Sequence, residues 1–170
     1  MNRTLYFVLL VVCAPLVMAA VCQNPNETLN QIRRVHSTIR AAFVAADDFV
    51  APRFEAAGDV CIAWAEEQGL TGRAMVESSN ACMRPWLILD ETFTLVREAL
   101  AGLERVYNNI KAGTSGVDDW VYWGRQVLGY GQTILRVLTE LALDGANQII
   151  SDLRTAVDNL CDLVHCDGGA

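Results

Sequence analysis

The chain has 170 residues, 52% of them hydrophobic and 19% charged, with a formal net charge of −7. That apolar content excludes a disordered chain, and the length suits one domain. An acidic balance with no basic cluster excludes a nucleic-acid partner and makes anionic lipid a poor one.

The first residues read as a secretory leader. Asn2 and Arg3 form a short basic start, Leu5 to Val17 is almost wholly apolar, and Val17-Met18-Ala19 offers modest side chains at a cleavage site after Ala19. The expectation is a signal peptide over 1–19, cleaved, and a single helical domain over 20–170 that is secreted to the extracellular space. Loss of Arg3 makes the net charge −8. The strongest later apolar stretch, Val117 to Leu143, is interrupted by Asp118, Asp119, Arg125, Arg136 and Glu140, so no membrane span is expected there.

The first predicted helix starts at Asn24-Pro25-Asn26-Glu27, where Asn24 can cap, Pro25 suits the first helical position and Glu27 completes a capping box. Leu29, Ile32, Ile39, Phe43, Ala46 and Val50 then recur at helical steps. Pro52 is expected to end or kink this helix. A second helix, Arg53 to Gln68, carries Phe54, Ala57, Cys61, Trp64 and Ala65 and stops at the turn Gly69-Leu70-Thr71-Gly72. A third, Arg73 to Arg84, is punctuated by Pro85. Trp86 to Lys111 is the cleanest amphipathic stretch, with Leu89, Phe93, Val96, Leu100, Leu103 and Tyr107 in register.

After the loop Gly113-Thr114-Ser115-Gly116, Asp118 or Asp119 can cap the next helix, whose face carries Trp120, Trp123, Val127, Ile134 and Leu138. Gly129 and Gly131 weaken it locally. Asp144-Gly145 is a break or a kink, and Ala146 to Val164 closes the chain. No segment alternates as a strand does. The expected fold is therefore all-α: an antiparallel bundle of four to six helices stapled by disulfides.

Six cysteines are present, and Cys13 leaves with the leader, so Cys22, Cys61, Cys82, Cys161 and Cys166 remain. In an oxidising compartment these are disulfide candidates. Cys61 and Cys82 sit about equally far from the Gly69–Gly72 turn and are the expected pair. Cys22 can staple the N-terminus to Cys161 or Cys166, and Cys161 can pair locally with Cys166 where the helix ends between them. An odd number leaves one thiol free, or joins two chains in a disulfide-linked homodimer. Cys161, His165 and Cys166 lack a second pair of ligands at metal-site spacing, so neither a metal nor another cofactor is expected.

Asn26-Glu27-Thr28 is an N-glycosylation sequon, with Asn26 as acceptor. The histidines are His36 and His165. No nucleophile elbow accompanies them, and adjacent acids such as Asp47-Asp48 and Glu66-Glu67 diverge by about 100° on a helix. No catalytic residue is expected.

The unusual patch is Trp120, Tyr122, Trp123 and Tyr130 within eleven residues. Core packing is one reading of it; the wall of a ligand pocket between helices is another, with Trp120, Trp123 and Tyr130 as ligand-binding residues; interfacial anchoring to a membrane is the third, weakened by the acids of this helix. The functional expectation is a secreted, non-enzymatic binding protein whose partner is an apolar small molecule or an extracellular protein. A membrane-active protein that opens its amphipathic helices on lipid, and an enzyme of unknown type, are the alternatives.

Overall fold

The computed structural model describes residues 25–114 and 117–164. The leader over 1–19, Cys22, His165 and Cys166 lie outside them. Four helices follow in order: α1, Pro25–Glu67; α2, Gly72–Lys111; α3, Val117–Leu141; and α4, Ala146–Leu163. Among the described residues there is no strand, and no helix is long and apolar enough to cross a membrane.

Close backbone contacts join α1 to α2, α2 to α3, α3 to α4 and α4 to α1, and none joins the diagonals. With short turns between consecutive helices, this is an up-down-up-down four-helix bundle. Its core follows from the apolar stripes. Ile32, Ile39, Phe43 and Val50 on α1 meet Leu89, Phe93, Val96 and Leu103 on α2; Trp120, Val127, Ile134 and Leu138 on α3 meet Leu153, Val157 and Leu160 on α4. Steps of three and four keep each stripe on one side of its helix. On the outer edge of the α1–α2 seam, Arg40 pairs with Glu104 at 3.6 Å and Arg97 with Asp47 at 3.4 Å. Such exposed pairs fix register more than they stabilise.

Two expected helix ends do not occur. Pro52 and Pro85 both lie inside continuous helices, so the six predicted segments become four. Each proline removes one amide donor and leaves the carbonyl four residues earlier unpaired. Those carbonyls belong to Asp48 and Ala81, both exposed, where water can satisfy them. The Arg53 guanidinium also donates to the Phe49 carbonyl at 2.7 Å beside the Pro52 step and lies 3.6 Å from the Phe49 ring centroid. Helix α3 begins at Val117, so Asp118 and Asp119 stand in its first turn rather than at its cap.

The helices are unequal. By residue count α1 and α2 span about 64 and 60 Å, α3 about 37 Å and α4 about 27 Å. The α3–α4 turn abuts the hairpin near Arg53, Ala56 and Ala57 through Leu143 and Asp144. Residues 58–85 therefore project beyond the bundle as a two-helix stalk about 20 Å long. Within the stalk only Cys61 and Ala65 are buried. Its closure is the Cys61–Cys82 disulfide, with Cα atoms 5.7 Å apart, the pair expected from the turn. Gly69 and Gly72 supply the positive φ values of 71° and 57° that reverse the chain at its tip. Cys161, also a disulfide candidate, carries a free thiol. Among the described residues one disulfide staples the fold.

Candidate functional site

Helix α3 lies antiparallel to α2, and its aromatic residues divide between the core and this seam. Trp120 is 1% exposed and belongs to the core, so it lines no groove. Trp123, three residues on, turns toward α2. Its indole lies directly over Gly102: a Cβ there would fall 2.5–2.7 Å from three ring atoms. Only glycine lets the flat ring rest against the α2 backbone.

Trp123 is half-buried and forms one wall of a groove of about 410 Å³ between α2 and α3. Tyr122, 59% exposed, stands edge-on to it, with ring centroids 5.4 Å apart and planes at 81°, a favoured aromatic geometry. Tyr130 forms the other wall, and its hydroxyl donates to Gln126 Oε1 at a long 3.5 Å. Leu95 and Ala99 of α2 form a small apolar floor, and exposed Ala101 lies at the rim. Two charges reach the groove, Glu98 and Arg105. Neither forms an ion pair among the described residues. Trp123 and Tyr130 are thus brought together as expected, while Trp120 is not. Sequence reading missed Gly102, Glu98, Arg105 and the part played by Tyr122. A glycine within the α2 stripe was the available signal for close approach.

His36 sits half-buried on α1, facing α2. Burial holds its imidazole below the usual histidine range, outweighing the Leu100 backbone and Glu104, which raise it; Arg40 lowers it further. Its Nε2 has no hydrogen-bond partner among the described residues. Among the described residues, no group of three or more His, Cys, Asp or Glu side chains could hold a metal ion. Two further grooves of about 350 Å³ each run along the stalk, sharing Val60 and Cys82. They leave Val60 65% and Trp64 47% exposed. Asn26, the sequon asparagine, lies in the first turn of α1.

The architecture defines a class, the disulfide-stapled four-helix bundle with an open aromatic groove. Comparisons with protein-family models, curated proteins and solved structures give no match, so function is argued from the groove itself.

Proposed function

We propose that the chain is a secreted, non-enzymatic binding protein, and that the α2–α3 groove holds an apolar small molecule or the apolar side chain of an extracellular partner. The observation that carries this reading is Trp123 half-buried on Gly102, with Tyr122 and Tyr130 beside it in one open groove. Aromatic walls supply contact area with little conformational entropy to lose. The small Ala99 side chain at the groove's floor leaves space that no side chain among the described residues fills. Pockets with a mainly apolar lining and a few placed polar groups are what ligand sites look like. The leader-like N-terminus and the Cys61–Cys82 disulfide support an oxidising, extracellular setting.

A native mass spectrum of the unreduced protein, secreted from a eukaryotic host, tests this reading beside the Trp123→Ala variant. The expected result is an added mass on the wild type, from a small molecule or a bound protein, that the variant loses. Only a mass released on denaturation counts, which sets aside a glycan at Asn26; no such mass on either chain, or the same one on both, would refute the reading.

A further inference from the structure

The charges along the groove give its ligand a chemical class. Trp123 lies opposite Gly102, and α2 and α3 run antiparallel. Tyr130, seven residues further along α3, therefore stands opposite Leu95, seven residues back along α2. The two rings are about 10.5 Å apart along the helix axis, and Leu95 lines the groove with them. Glu98 falls between those levels, three residues past Leu95 and four before Gly102. A carboxylate without an ion-pair partner among the described residues is thus flanked by an indole and a phenol. Arg105 lies three residues past Gly102, on the far side of Trp123, at the Tyr122 end.

We infer that this groove, read as a binding site, takes an amphiphilic organic ammonium, its cation beside Glu98 between Trp123 and Tyr130 and its apolar body along Leu95 and Ala99. Aromatic faces attract ammonium groups through their negative quadrupoles, with Trp the strongest. A carboxylate adds a charge-assisted hydrogen bond. Gln126 lines the same stretch and offers its amide oxygen as a second acceptor. A neutral guest would use the rings and leave Glu98 idle. An anionic guest would meet it as a like charge and would have to reach past Trp123 to Arg105. The chain's net charge of −7 also favours approach of a cation. The inference rests on the groove being the binding site, and its test separates the two claims.

The test is calorimetric titration of the intact protein with phenethylammonium, with its neutral analogue phenylethanol and with the anion phenylpropanoate. The ammonium should bind about tenfold more tightly than the alcohol, and the anion most weakly of the three. Glu98→Gln should bring the ammonium to the level of the alcohol and leave the alcohol unchanged. Trp123→Ala should weaken both by about tenfold. Raising salt should weaken the ammonium alone. Equal binding of ammonium and alcohol, or a preference that survives Glu98→Gln, would overturn the ammonium while leaving the groove as a site. Failure of all three probes, with Trp123→Ala indistinguishable from wild type, would overturn the groove as well.

Discussion

Replacing glycine by alanine at two positions of the same bundle should have clearly different effects. Gly129 lies inside α3, exposed, and an added Cβ would meet nothing within 4 Å. Alanine there gains helix propensity, about 1 kcal/mol. Gly102 lies inside α2 and gains the same propensity, but its Cβ would stand 2.5–2.7 Å from the Trp123 ring. The indole is rigid, so it must swing outward into the groove or push α3 away. Overpacking of that kind costs about 1–3 kcal/mol. Net, Gly102→Ala should range from neutral to about 2 kcal/mol destabilising, and the two variants should differ by the overpacking cost alone. At 2–4 °C per kcal/mol for a chain of this size, their Tm values should stand about 2–12 °C apart. Thermal unfolding followed by circular dichroism measures this directly. Fluorine NMR of the fluorotryptophan-labelled chain shows whether Trp123 is the group that moved. A Gly102→Ala chain as stable as Gly129→Ala, with an unshifted Trp123 resonance, would refute the close approach of indole and backbone.

Other expectations follow from the same structure. Replacing Cys61 and Cys82 together by alanine should cost the stalk about 3 kcal/mol by the loop-entropy account. Amide exchange over residues 58–85 should accelerate about a hundredfold while the bundle keeps its protection; an equal loss of protection along the whole chain would contradict a separately closing stalk. His36 has a folded pKa below its unfolded value of about 6.5. Between those two values the unfolded state binds more protons, so stability falls as pH drops through that window and levels off below the folded pKa. His36→Gln should flatten the fall in Tm across this window, and a variant that follows the wild-type profile would dismiss the burial effect. Ala142, in the α3–α4 turn, has φ of 46°, a region that favours glycine. Ala142→Gly should raise stability by about 0.5–1 kcal/mol, and a lowered Tm would show that the turn is unstrained.

Much of the bundle was legible because helix periodicity is a local property. The stripes through Ile32 to Val50, Leu89 to Leu103 and Leu153 to Leu160 each point to one buried side, and in the structure each does bury it. The Gly69–Gly72 turn and the equal arms on either side were enough to pair Cys61 with Cys82. Asp144-Gly145 marked a break or a kink, and the structure makes it a turn in which Gly145 adopts φ of 79°. The two prolines misled because a proline's cost depends on where the orphaned carbonyl points. Asp48 and Ala81 are exposed, and that exposure is set by packing, not by the residues beside the proline.

The aromatic patch shows the same division. Four rings in eleven residues marked α3 as unusual, but core and ligand wall were both open from spacing alone. Trp120 and Trp123 are three residues apart, about 60° short of a full turn. That offset sends the first into the centre of the bundle and leaves the second across Gly102, with its edge in the groove. Gly131 is a related case: it weakens α3 as an isolated helix, yet a Cβ there would fall 2.7 Å from Val157 and 3.2 Å from Phe43.

By itself the sequence determined that the chain is helical, which side of each helical segment is apolar, where the chain turns at residues 69–72, and which cysteines close the hairpin. Each of these depends on neighbours within a few turns of the chain. Only the tertiary structure decided that α1 and α2 run on through their prolines, that they outreach α3 and α4 to form a stalk, and that Trp123, Tyr130 and Glu98 share one groove while Trp120 does not. Those features depend on which helices touch and at what height. Contacts between residues far apart in the chain set that height, and local pattern does not encode it.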